Sequence, residues 1–168
     1  MTHLAETDAL FFTRTGLDRA RAERLVDDAL AGADDGELYL EYRQSEALGW
    51  DDGRLKSASF DSAQGFGLRS VSGEAAGYAH ADEISEEAIR RAGETVRAVA
   101  DGQSGSMAAG PAGTNRLLYG DDNPIGAVPF ETKVKLLGEV DAYARAKDPR
   151  VRQVSVSLAG SWQAVQIL

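Results

Sequence analysis

The feature that most constrains the fold is a long stretch of alternating side chains that runs straight into a tight-turn pair. Leu38, Leu40 and Tyr42 alternate with Tyr39, Glu41 and Arg43, and the same parity resumes at Leu48 and Trp50. Period-two alternation places one set of side chains on one side of a pleated strand, so the stretch reads as a long strand with one buried face. Asp52 and Gly53 follow. Such a pair accepts the two positive φ values of a type I′ turn, whose twist matches the strands it joins. The turn sets Asp51 against Arg54 and Trp50 against Leu55, and a hairpin opens an antiparallel sheet.

Turn signals and hydrophobic spacing carry the reading along the chain. The return strand runs to about Ser62, 64–71 gives another, Ser72 and Gly73 turn the chain, and 74–81 closes a four-strand antiparallel meander. Before the sheet, Ala22, Leu25, Val26, Ala29 and Leu30 mark a helix over 18–31, with Gly32 as its stop. After the sheet, Ser85 caps a helix that starts with Glu86 and Glu87 and buries Ala88, Ile89, Ala92, Val96 and Val99. A third helix follows Pro129, reads through Val134, Leu137, Val140 and Ala144, and ends at Asp148 and Pro149. Residues 150–158 alternate again before Ala159, Gly160 and Ser161 reverse the chain into a final hairpin. Sheet and helices in this order define an α+β class: a four-strand meander plus a C-terminal hairpin, with about three helices. The length suits one domain over 1–168, interrupted by a long Gly-rich loop at 101–129. The chain stops at Leu168 in mid-strand, so a longer natural protein, of which this is the N-terminal domain, is expected.

Chemistry-bearing residues are scarce. The sequence has two histidines and no cysteine, whereas a catalytic metal usually takes three or more converging ligands. His3 belongs to an expected frayed terminus. His80 and Asp82 share one face of a strand, which is a weak metal or acid/base signal. No nucleophile elbow and no phosphate-binding glycine motif occurs. The carboxylates Asp27, Asp28, Glu86 and Glu87 sit where helix surfaces and caps account for them. No catalytic or metal-binding residue is therefore assigned. With 27 acidic against 18 basic residues, a formal charge of -9 repels a phosphate backbone, and no direct nucleic-acid partner is expected. No stretch approaches a membrane span, and the lack of cysteine fits a reducing, cytoplasmic setting.

The stretch 59–82, SFDSAQGFGLRSVSGEAAGYAHAD, spends its glycines inside strands, where glycine normally weakens a sheet. Gly65, Gly67, Gly73 and Gly77 would let another backbone, from a partner domain, a subunit or an extended peptide, approach closely. Alternatively, Gly73 serves a turn and the others mark bulges or tight packing within the sheet.

The same stretch, with GELYLEYRQSEALGWDDGRLKSASF before it and DEISEEAIRRAGETVRAVA and KVKLLGEVDAYARAKDPRVRQVSVSLAGSW after it, resembles the N-terminal domain of the TldD/PmbA family, on its TldD side. The resemblance implies a zinc metallopeptidase that acts on unfolded or leader peptides, paired with a PmbA/TldE-like subunit. An older association of the family is with modulation of DNA gyrase. The family's His-Glu-x-x-x-His motif does not occur here. By resemblance, then, this segment holds no cofactor and is inactive alone. Zinc belongs to the full-length protein, and the partners are the TldE-like subunit, the chain's own C-terminal domain and the peptide substrate. A different class of reading is a free-standing module that binds protein partners by strand addition.

Overall fold

A computed structural model describes residues 3–100 and 122–168. Most of the expected Gly-rich loop at 101–129 lies outside the described residues. The helices are α1 (His3–Asp8), which continues into a π-helical turn (Ala9–Thr13), α2 (Arg19–Ala29), α3 (Glu86–Ala100) and α4 (Phe130–Lys147). The strands are β1 (Asp35–Asp51), β2 (Arg54–Ser72), β3 (Ala75–Ala81) and β4 (Ser155–Ile167), in one sheet of order β3-β2-β1-β4. The class is α+β with a four-strand antiparallel sheet, as expected.

Local chemistry explains most element ends. Asp52 and Gly53 take φ values of 47° and 81°, the positive pair that a type I′ turn requires. Gly73 has φ 59° and the turn residues are Gly73 and Glu74, one position later than the sequence suggests. The Asp18 side chain accepts a hydrogen bond from Arg21 N at 2.8 Å and caps α2, while Gly32, φ 84°, ends it. Ser85 Oγ accepts from Ala88 N at 3.3 Å at the start of α3.

Three expectations are corrected. The strand break near Ser62 is absent, because Gly65 and Gly67 stay extended and β2 runs unbroken for 19 residues. The C-terminal hairpin is absent as well. Gly160 does not take a positive φ, and β4 continues through it as one strand that pairs with β1. At Gly160 a Cβ would stand 3.2 Å from Ile125 Cδ1, so the glycine makes room for a side chain rather than a turn. At the N-terminus, the expected frayed end is helical from His3 onward, and Phe11 and Phe12 are buried behind it.

The chain forms two compact units. The first comprises the described parts of 1–42, 63–120 and 164–168. Its core holds Phe11, Leu38, Leu40, Leu68, Ile89 and Val96, all fully buried. Leu38 and Leu168 exchange both backbone hydrogen bonds, at 2.9 and 3.0 Å, which pairs β1 with β4 in antiparallel fashion. β2 and β3 pair from Phe66 opposite Ala81 to Ser72 opposite Ala75. The second unit comprises 43–62 and the described parts of 121–163. There α4 buries Lys133, Leu137 and Asp141 in one line, rather than the apolar series through Val140 that its spacing suggests. Val140 is exposed.

In the first unit Ser70 and Ser72 are buried, and neither hydroxyl has a hydrogen-bond partner among the described residues. A buried hydroxyl without a partner forfeits its hydration and gains nothing in return. Ser70→Ala is therefore expected to raise stability by roughly 1 kcal/mol, read as a higher urea midpoint with unchanged slope.

Candidate functional site

The glycine ribbon folds into the first unit, and the structure separates its four glycines. Gly77 lies under α3: a Cβ there would stand 2.9 Å from Val96 O and 3.1 Å from Val96 Cα. Its missing side chain lets α3 sit close on β3. Gly73 forms the turn into β3. Only Gly65 and Gly67 come together, on the side of β2 opposite its buried Phe66 and Leu68. At Gly65 a Cβ would stand 2.8 Å from the backbone oxygen of Ala81. At Gly67 it would stand 2.6 Å from Tyr78 Oη, because that phenol lies across the glycine. An aromatic ring laid over a strand glycine covers backbone that the glycine leaves bare.

Around these two residues is a shallow cleft of about 270 Å³. Tyr39 and Glu41 bound it on β1, and Tyr78, His80 and Asp82 bound it on the β3 side. Tyr39 Oη donates to Glu41 at 2.8 Å, and the rings of Tyr78 and His80 stack at 5.8 Å. Further along the ribbon, Arg69 donates to Glu37 through two nitrogens and to Asp35 through one, each at 2.7 Å. The guanidinium holds the Asp35 carboxyl below the usual range, and the two carboxylates raise Arg69 further. The alternating strand and the glycines point to this place. Tyr39, Glu41 and Tyr78 escape sequence reasoning, because the expected break near Ser62 sets β1 and β3 against different strands, whereas one continuous β2 has both as neighbours.

The second unit holds a different cluster. Trp50 Nε1 donates to Asp141 Oδ2 at 3.0 Å, Arg145 Nε donates to Asp141 Oδ1 at 2.7 Å, and Arg145 also pairs with Asp52. The indole hydrogen bond, followed by the bond from Arg145, depresses the Asp141 pKa. Close by, the hydrogen bonds from Gln153 and Ser155 depress Asp51. Among the described residues no three His, Cys, Asp or Glu side chains group as metal ligands. His80 and Asp82 line the cleft, as Glu41 does, without forming such a group. No described helix is long and apolar enough to cross a membrane.

Comparison with known proteins supplies the class. Residues 36–100 match the model of PmbA/TldA metallopeptidase domain 1, and residues 123–168 match that of the PmbA/TldA metallopeptidase central domain. The chain belongs to the PmbA/TldD family. It is 35% identical over 139 residues to a metalloprotease TldD homolog of Haemophilus influenzae, covering 80% of this chain and 29% of that protein. It is 30% identical over 146 residues to a metalloprotease TldD homolog of Buchnera aphidicola from Schizaphis graminum, covering 86% and 30%. The chain thus spans about three tenths of the length of these relatives. Two solved structures share the fold at 18% identity. One is a candidate modulator of DNA gyrase from Bacteroides thetaiotaomicron, with TM-score 0.66 over 89% of this chain and 36% of that one. The other is TldE from Thermococcus kodakarensis, with TM-score 0.57 over 88% and 34%.

The two clustered glycines differ in what a methyl would meet. Gly65→Ala drives a Cβ into backbone and is expected to lower stability by about 1–3 kcal/mol, while Gly67→Ala, opposed only by a phenol that can swing, changes it by less than about 1 kcal/mol. Thermal melts of both variants check the ranking. The Asp141 carboxylate has a folded pKa below its unfolded value, so its stabilisation is complete above about pH 4 and is lost as the pH falls through the folded value. Asp141→Asn is expected to lower stability at pH 7 and to flatten the acid limb, as measured by urea midpoints between neutral and acid pH.

Proposed function

We propose that this chain is the non-catalytic N-terminal part of a TldD-type zinc metallopeptidase that acts on unfolded or leader peptides. In this reading it contributes subunit contacts and part of the substrate enclosure. The observation that carries the proposal is the match to two successive domains of one metallopeptidase family, over 36–100 and 123–168. The family's metal chemistry then falls to residues outside this sequence, which contains two histidines and no cysteine. Pairing with a PmbA/TldE-like subunit in the cytoplasm is part of the same proposal, supported by the shared fold with TldE. The cleft around Gly65 and Gly67 is a surface that this assembly could use, since phenols and carboxylates, from Tyr39, Glu41, Tyr78 and Asp82, line it together.

The test compares the 168-residue chain with the full-length gene product, co-expressed with its TldE-like partner. Zinc content after dialysis and hydrolysis of denatured casein are the readouts. The chain alone is expected to retain no stoichiometric zinc and to leave casein intact, while the full-length pair retains zinc and hydrolyses casein. Zinc-dependent turnover by the chain alone, or an inert full-length pair, refutes the assignment.

A further inference from the structure

Asp-Gly steps occur in the chain at 35–36, 52–53 and 101–102. The dipeptide is chemically fragile, because a glycine has no side chain to shield its nitrogen from the carboxyl of the aspartate before it. The last of these steps lies outside the described residues, and Asp35 and Gly36 lie inside β1. Asp52 and Gly53 stand in the turn between strands, where the Asp52 side chain is 58% exposed.

Both groups that would react there are already engaged, and by the same helix. Arg145 of α4 pairs with the Asp52 carboxylate. After the indole of Trp50 and the guanidinium of Arg145, the next donor to the Asp141 carboxylate is the backbone N–H of Gly53. Two further bonds hold the surroundings: Asp52 N donates to Val154 O at 3.0 Å, and Arg145 donates to Arg152 O at 3.3 Å. All of these residues belong to the second unit, so the arrangement does not depend on what adjoins it.

We propose that Asp52 and Gly53 form a latent isoaspartate-forming site, held unreactive by Asp141 and Arg145. The reaction is a ring closure. Gly53 N bonds to Asp52 Cγ, and the carboxylate, after taking a proton from solvent, loses one oxygen as water together with the amide hydrogen. Water then adds back to the neutral succinimide. Breaking the bond to Cγ restores aspartate, whereas breaking the bond to the backbone carbonyl carbon leaves the main chain running through Cγ, with a free α-carboxylate. Closure is opposed on both sides. The uncharged imide leaves Arg145 without its partner, and removing the Gly53 proton would set a negative charge beside the Asp141 carboxylate. Once formed, isoaspartate adds a methylene to a two-residue turn whose geometry sets the register of β1 and β2. The seating of α4 thereby sets the chemical lifetime of the hairpin, whether or not the peptidase reading holds.

The test stores the full-length gene product in warm neutral buffer, native and in urea, and follows isoaspartate at position 52 by mass spectrometry of the tryptic peptide 44–54. Native protein is expected to isomerise at least about thirtyfold more slowly than the unfolded chain. Asp141→Ala should speed the native reaction about tenfold, and Arg145→Gln, which removes a more exposed pair, about threefold, with circular dichroism unchanged. Ile125→Val removes buried volume from the same unit but none of these contacts, and should age like the parent. Equal rates in native and unfolded protein overturn the proposal. So do natively folded Asp141→Ala and Arg145→Gln variants that age no faster than the parent, or an equal acceleration by Ile125→Val. Where Asp141→Ala fails to fold, Arg145→Gln alone decides.

Discussion

The left-handed backbone at Asp52 and Gly53 is the constraint from which the sheet is assembled. A non-glycine residue at positive φ is uncommon, and aspartate is among the few side chains that tolerate it. Two such residues in succession turn the chain with the twist that flanking strands already have, which permits strands of 17 and 19 residues to stay paired. The remaining strands attach to this hairpin. β3 returns along β2 through the turn at Gly73, and β4 lies on the other side of β1. Helices then find their places by burial: α2 and α3 in the first unit, α4 in the second.

Features that a few neighbouring residues determine were legible in the sequence. The Asp52 and Gly53 turn, the Ser85 cap, the alternation through Leu38 and Leu40, and the end of α4 before Pro149 all rest on local backbone preferences. Glycine was the weak point. At Gly65, Gly67 and Gly160 the residue leaves space for a neighbour while the backbone stays extended, and composition alone does not separate that use from a turn. Reading the second use as the first split β2 in two and bent β4 into a hairpin. The buried ends of Phe11 and Phe12 escaped for a related reason: their helical turn is held by the core they enter, and Thr15 Oγ1 donates to Phe11 O at 2.6 Å only once that turn exists.

The candidate sites show the same division. The glycine cleft could be placed on the ribbon, but its sides come from β1 and β3, and only the register of three strands brings them together. The polar inner side of α4 depends on partners still farther away in sequence. Glu46 lies 87 positions before Lys133, and Trp50 lies 91 before Asp141. A hydrophobicity pattern read on the helix alone favours Val140 as core, because it cannot know that β1 supplies a carboxylate for the lysine and an indole for the aspartate. Each buried charge is tolerated through a specific partner, and breaking such a pair from one side leaves the other group stranded.

Trp50 is held at two points. Its indole N–H is engaged by Asp141, and its ring lies where a Cβ on Gly138 would come within 3.3 Å. Both contacts belong to α4, so the chromophore senses that helix at two points of its ring system. The second unit thus contains an optical gauge: once Trp162, the other tryptophan of that unit, is replaced by phenylalanine, the wavelength and yield of indole emission follow the seating of α4 on β1, without any label having to be attached.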